Sequence, residues 1–234
     1  MLRDTRSLLL VLAAAVLALS CAGSGRAQPD PKVQRWVEGV ILGPEFGGQG
    51  KICSRWVRTP RLSAFGANAE QERVLKSVID HLNETLARTP IKRIELLPPN
   101  DARADMLLYF APLQDFPALG RKHGFEYVEG NWGFFWTWWN NRNEVYRAVI
   151  LIASDKLKGD TLRHFVLEEV TQSLGLMNDS PVFPDSIFYS GPDGGGKATE
   201  LSALDKKLII FFYNHVRPGA GPAEVRAAFQ KHWQ

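Results

Sequence analysis

The stretch LEEVTQSLGLMND, residues 167–179, contains the pattern on which the fold assignment depends. Successive residues of an α-helix turn by about 100°, so residues four apart lie on nearly the same face. One face is apolar at four positions: Leu162, Val166, Val170 and Leu174. A second face is polar at three positions: His164, Glu168 and Gln172. Gly175 permits a sharp turn out of the helix, so the pattern predicts a helix whose apolar face is turned toward the core and which ends near this glycine.

Residues 168–178 resemble the sequence pattern of the zincin metalloproteases. Zincins place two zinc-binding histidines four apart on a helix, and the glutamate after the first histidine acts as general base. Their metzincin branch continues through a glycine to a third histidine, H-E-x-x-H-x-x-G-x-x-H. Here the chain reads E-E-V-T-Q-S-L-G-L-M-N, which matches the pattern at Glu169 and Gly175. The three histidines are replaced by Glu168, Gln172 and Asn178.

The longer run EEVTQSLGLMNDS…FPDSIFYS…ELSALDKKLIIFFY…VRPG is similar to an uncharacterised family of exported bacterial proteins related to the zincin superfamily. The resemblance is specific over about residues 160–220 and looser from roughly residue 33 onward. It implies an α+β, zincin-like single domain with a twisted mixed sheet, a backing helix at 69–87, the motif helix and C-terminal helices. Phe188 stands where metzincins carry the methionine of their turn.

The replaced histidines change which ion the site would hold. Zinc favours imidazole and thiolate, whereas carboxylate and amide oxygens suit Ca²⁺ or Mg²⁺ better. The candidate ligands are Glu168, Gln172 and Asn178, with Asp179 and His164 as substitutes. Glu169 would be the general base if the site is active. We expect no catalytic metal, with these polar groups hydrogen-bonded to one another; a Ca²⁺ or Mg²⁺ site and a zinc site with unusual ligands are the alternatives.

The segment WGFFWTWW, residues 132–139, is rich in aromatic side chains. Strand alternation would put Phe134, Trp136 and Trp138 on one face. In zincins the strand beside the cleft lies along the bound peptide, so this resemblance implies that these three residues grip an extended peptide or stack on a sugar ring. A cluster packed between elements is the alternative interpretation.

The first residues are typical of an export signal. Arg3 and Arg6 precede the apolar run LLLVLAAAVLAL, which is shorter than the ~20 residues of a membrane span. We expect a signal peptide at 1–27, or at 1–20 with lipidation of Cys21, then a tether at 28–32 and the domain at 33–234. The protein would then be periplasmic, anchored as a lipoprotein, or secreted, and would touch the membrane only through a lipid anchor.

Charge argues against a nucleic-acid partner. The whole chain carries a formal charge of +3, but removal of residues 1–27 leaves 25 basic and 24 acidic residues. A net charge of +1 provides no electrostatic footprint for nucleic acid. Three functions remain as hypotheses: a non-peptidase binding or scaffold protein, a metal-dependent peptidase with non-standard ligands, and a cell-wall or glycan-binding module.

Other segments have periodicities that predict further elements. Asn68 and Gln71 form a capping-box pattern before a helix at 69–87, and Ser202 with Asp205 forms another before a helix at 203–215. A last short helix should begin near Pro222. Strands are expected as a pair over 33–42 and 51–66, then at 91–98, 104–112 and 146–154, the last being central. Residues 113–129 are expected to be a loop.

Overall fold

The computed structural model describes residues 30–43, 50–192 and 194–233. The expected signal peptide and Cys21 lie outside these residues. Within them, the chain forms a mixed α+β single domain with a mostly parallel five-stranded sheet, a short hairpin and six α-helices. No helix in the described ranges is long and apolar enough to cross a membrane.

The sheet has the strand order β2-β1-β3-β5-β4. Its strands are β1 (Arg61–Phe65), β2 (Glu95–Leu96), β3 (Met106–Ala111), β4 (Gly133–Trp139) and β5 (Val145–Ala153). Four of them run parallel, and β4 joins β5 antiparallel as an edge strand. The predicted strand at 146–154 is therefore confirmed as an interior strand, because β3 and β4 flank it. The mixed sheet implied by the resemblance is also present.

The helices are α1 (Pro31–Ile41), α2 (Ala69–Leu86), α3 (Phe116–His123), α4 (Gly159–Gln172), α5 (Ala203–His215) and α6 (Pro222–His232). A short hairpin, β6 (Ser190–Gly191) with β7 (Gly194–Gly195), lies between α4 and α5. Both predicted capping boxes are confirmed. Asn68 accepts hydrogen bonds from the backbone of Glu70 and Gln71, and Ser202 accepts one from Asp205.

The predicted strand at 33–42 is wrong, because these residues form α1. Asp30 caps this helix by accepting a hydrogen bond from the backbone N–H of Lys32, and Pro31 occupies its first position. The buried side chains recur at helical spacing: Trp36, Val37, Val40 and Ile41. Helical burial of this apolar face therefore prevails over the strand preference of valine and tryptophan. The helix also includes residues 31 and 32, which were expected to be tether.

The remaining predictions for the first half of the chain need smaller corrections. Of the expected strand at 51–66, only Arg61–Phe65 joins the sheet, and Arg55 makes a single bridge to Glu144. The strand expected at 91–98 is reduced to Glu95–Leu96. The expected loop at 113–129 contains the eight-residue helix α3, whose left-handed cap is Gly124.

The two faces of the sheet differ in what covers them. Helix α4 packs against β4 and β5, and α2 packs against α4, so both helices lie on what we call the inner face. The outer face carries Phe65, Leu107, Tyr109, Arg147, Trp136 and Trp138, which the strand register places side by side. Helix α3 and Phe125 lie over one end of the outer face, where Phe125 stacks on Trp136 with ring centroids 5.7 Å apart.

Candidate functional site

A cleft of about 230 Å³ lies between the start of β4, helix α4 and the β6–β7 hairpin. Its polar lining comes from the motif helix and the segment that follows: His164, Glu168, Glu169, Gln172, Asp179 and Ser190. Its other wall is formed by residues 130–135 of the aromatic segment. The structure therefore brings together most of the site residues that the sequence predicted.

Close packing between β4 and α4 forms the floor of the cleft. A Cβ on Gly133 would collide with the Glu169 carboxylate and with the Phe165 ring. Glycine at this position lets the edge strand approach the helix, and the Glu169 carboxylate lies directly against the strand. Glu169 and Glu168 are both buried, with 6% and 8% of their surfaces exposed.

His164 and Glu168, one helical turn apart, form a buried pair. His164 Nε2 lies 3.3 Å from Glu168 Oε2, and Nδ1 lies 2.8 Å from the carbonyl oxygen of Ala198. Because a carbonyl only accepts, Nδ1 carries a proton and Nε2 faces the carboxylate. Burial lowers the pKa of His164, but the hydrogen bond and charge of Glu168 outweigh it, so the pKa is raised overall. The imidazole therefore favours the protonated form beside Glu168.

Gln172 and Asp179 form the second polar pair. The Gln172 amide donates a hydrogen bond of 2.6 Å to Asp179 Oδ1. Burial, reinforced by the negative charge of Glu168, raises the pKa of Asp179 to about 6, although Gln172, His164 and Ser190 oppose the rise. The Asp179 carboxyl therefore changes its protonation state at about pH 6.

Asn178 does not join these groups. Its Nδ2 donates to the carbonyl of Gly43 at 2.7 Å and to that of Val40 at 3.3 Å. Its backbone N–H also donates to the carbonyl of Val40, at 3.3 Å. These carbonyls belong to the last turn of α1 and the residues after it, where a helix leaves its acceptors without intrahelical partners. Asn178 therefore caps α1, and Asp179 occupies the cleft beside Gln172.

The donor set does not fit zinc. The three residues at the zincin ligand positions contribute no imidazole, and Asn178 is absent from the cleft lining. Among residues 30–43, 50–192 and 194–233, no three His, Cys, Asp or Glu side chains are grouped so that they could hold a metal ion. What the cleft presents instead is a set of carboxyl, amide and imidazole groups joined by hydrogen bonds.

The predicted aromatic residues lie mainly on the other side of the sheet. Phe134, at the start of β4, is buried and stacks on Phe125. Trp136 also stacks on Phe125, and the Arg147 guanidinium lies over the Trp138 ring at 4.6 Å. These contacts are those of a cluster packed between elements, and Trp136 and Trp138 are not among the residues that line the cleft.

Trp132 and Ser190 are among the cleft residues that were not predicted. Trp132, 46% exposed, lies at the rim, and Ser190 reaches Asp179 from the hairpin. Trp132 lies just before β4, where strand alternation no longer predicts the face of the sheet on which a side chain lies. No local pattern marked Ser190, because its place depends on how the loop after α4 returns to the cleft.

The fold and the site define a mixed α+β domain with a buried polar cleft beside the edge strand of its sheet. The chain belongs to the family described as Protein of unknown function (DUF2927), whose model matches residues 32–231. The expected membership of an uncharacterised family is thereby confirmed. A search of curated protein sequences returned no match.

Solved structures of myroilysin are similar to this chain. Two of them match it at 12% sequence identity, each covering 81% of this chain and 97% of the myroilysin chain, with a TM-score of 0.42. A likeness of this size is a partial overlap of shape.

Proposed function

We propose that this protein is an exported, envelope-associated binding protein with a zincin-like fold and a degenerate metzincin-like site. In this proposal the cleft holds a ligand and does not hydrolyse it. The observation that carries the proposal is that Gln172 and Asn178, two of the three residues at the zincin ligand positions, offer no imidazole, and that Asn178 bonds to carbonyls outside the cleft. The third, Glu168, is paired with His164.

The engaged side chains argue against peptide hydrolysis by zincin chemistry. That chemistry needs an ion at this point to activate water, and Glu169 would only accept the proton of that water. Without such an ion, a buried carboxylate has no electrophile beside it that could activate the attacking water or the peptide carbonyl. Glu169 instead packs closely beneath the edge strand.

The open edge of β4 favours an extended peptide as ligand. The backbone N–H of Ala153 donates to the carbonyl of Trp132 at 2.9 Å, which fixes which residues of β4 bond to β5. Antiparallel alternation then directs the backbone N–H and C=O groups of Gly133, Phe135 and Thr137 away from β5. A peptide in extended conformation can add to these groups as a further strand, with its side chains entering the cleft.

A cell-wall glycan is a second candidate, which Trp132 favours. Its ring is half-exposed at the cleft rim, where a sugar could stack on it. Trp136 and Trp138 are less suited, because Phe125 and Arg147 already lie against their rings.

Metal analysis of the purified mature protein, combined with a casein-cleavage assay, tests the absence of peptidase activity. We expect no stoichiometric zinc, no cleavage by the wild type or by Glu169→Ala, and no shift of the melting temperature with Zn²⁺, Ca²⁺ or EDTA. Stoichiometric zinc together with cleavage that is lost in Glu169→Ala would overturn the proposal in favour of the metal-dependent peptidase.

Peptide binding tests the role of the cleft. Peptides selected from a random library by the wild-type protein should lose affinity when alternate backbone amides are N-methylated, because methylation removes the donors that pair with β4. Gly133→Ala should weaken the same peptides, since its methyl group collides with Glu169 and Phe165. Gly39→Ala, on α1 with open space around it, is the matched control. Binding that survives both N-methylation and Gly133→Ala would exclude strand addition at this edge.

A further inference from the structure

The outer face of the sheet is only partly covered: Val149 and Leu151 are fully buried there, but the side chains around them are not. Parallel strands are normally buried on both faces, because their connecting helices cover them. Here four of the five strands are parallel, yet six outer-face side chains remain only partly buried: Phe65, Leu107, Tyr109, Arg147, Trp136 and Trp138. Tyrosine and tryptophan side chains that stay partly exposed on one face of a sheet offer a surface to a partner.

Cations surround these aromatic rings without acidic partners. Arg147 donates to His123 Nδ1 at 2.8 Å and lies over Trp138. Lys122 lies over the Tyr109 ring, with its ammonium 5.6 Å from the ring centroid. In the part of the chain that the structure describes, neither Arg147 nor Lys122 forms an ion pair with a carboxylate.

The pKa of His123, beside these rings, reflects the positive charges of Arg147 and Lys122. Burial lowers the pKa of His123, and the charges that add to this lowering are those of Arg147 and Lys122. Because Arg147 donates to Nδ1, the imidazole keeps its proton on Nε2, which faces the Tyr109 hydroxyl at 3.0 Å. His123 is thus held neutral, and the guanidinium of Arg147 keeps its remaining donors for another acceptor.

We propose that the outer face docks an acidic segment of a partner polypeptide, whose Asp or Glu carboxylates bind Arg147 and Lys122 while its apolar atoms cover the aromatic rings. The charges of this chain argue against two other occupants of the outer face, a second copy of the chain and a segment of the same chain. A second copy placed face to face would bring the same cations together. The stretches of this chain outside the described residues hold only three acids, Asp4, Glu45 and Asp193, each isolated from the others.

Fluorescence polarisation of a labelled oligo-glutamate peptide with the mature protein tests this proposal. Arg147→Gln should weaken binding by about tenfold, because charge-assisted hydrogen bonds to a guanidinium are lost. Lys122→Gln, at an exposed position, should weaken it by about threefold. The matched control is the pair Arg73→Gln and Lys76→Gln, exposed cations on α2, which should leave binding unchanged. Added salt should weaken the wild-type complex, and an oligo-glutamine peptide should not bind.

Several outcomes would overturn the proposal. These are no binding of oligo-glutamate, or binding that both outer-face variants leave unchanged. Tighter binding of heparin or of phosphatidylglycerol vesicles, lost in the same variants, would show that the partner is not a polypeptide. Sedimentation that shows a dimer dissociated by Arg147→Gln would assign the face to a second copy. If circular dichroism shows that Arg147→Gln does not fold, the affinity of the exposed variant Lys122→Gln for oligo-glutamate decides whether the proposal stands.

Discussion

Asp179 should make the folded protein less stable as the pH rises from about 4 to about 7. Its pKa is about 6 in the folded protein, against an ordinary value of 3.8. Between these values the unfolded chain loses the proton while the folded protein keeps it, so the free energy of unfolding falls as the pH rises. At about 1.4 kcal/mol per pH unit, the raised pKa corresponds to a loss of about 3 kcal/mol, nearly complete above pH 6.

Urea unfolding of the wild type and of Asp179→Asn, followed by tryptophan fluorescence across this pH range, measures the effect. Asparagine keeps an oxygen that can accept the hydrogen bond from Gln172 but cannot ionise. The difference between the two unfolding free energies should therefore change by about 3 kcal/mol, to the disadvantage of the wild type at higher pH. His164, whose pKa is also raised, contributes with the same sign to both proteins, and contributes less in Asp179→Asn because the charge of Asp179 is one cause of its raised pKa. A difference that is flat, or that favours the wild type as the pH rises, would refute the assignment.

Three further predictions concern other parts of the chain. Gly175→Ala should lower the free energy of unfolding by about 3 kcal/mol, because Gly175 has φ 113° and a Cβ there would meet the Ser54 carbonyl. Gly124→Ala, also at positive φ but in open space, should cost only about 1 kcal/mol, and equal losses in chemical denaturation would contradict the backbone collision. Asn178→Ala should cost about 2 kcal/mol and increase hydrogen exchange of the last turn of α1, because the Gly43 carbonyl loses its side-chain donor and the Val40 carbonyl keeps only the backbone N–H of residue 178; unchanged exchange would remove its capping role. Intact mass and metabolic lipid labelling of the mature protein should show either cleavage after Ala27 or lipid on Cys21, and retention of residues 1–20 would contradict both.

The helices with explicit capping signals were predictable, because those signals are local. Asn68 with Gln71 and Ser202 with Asp205 each define a helix start within four residues. Helix α1 also had a readable signal, since its buried residues recur at three and four and Asp30 precedes Pro31. The strand prediction at 33–42 is wrong because the strand preference of valine and tryptophan is weaker than the helical periodicity of the buried residues. Helix α3 has only eight residues, too few for its pattern to stand out from a loop.

The candidate site was predictable mainly where it lies on the helix. Spacing along α4 correctly placed His164, Glu168 and Gln172 on one face that reaches the cleft. Beyond Gly175 the chain leaves the helix, and its direction depends on contacts with residues distant in sequence. Asn178 is held by α1, about 135 residues earlier in the chain, and Asp179 takes the place beside Gln172. The spacing of residues along the sequence cannot predict the contact between Asn178 and the end of α1.

The position of Asn178 sets a limit on any attempt to engineer a zinc centre into this chain. Histidines introduced at 168 and 172 would both face the cleft, but a histidine at 178 would replace the side chain that holds the end of α1. Such a triple replacement would supply two donors and loosen the first helix. A redesign has to recruit its third donor from residue 179, and must leave residue 178 as asparagine.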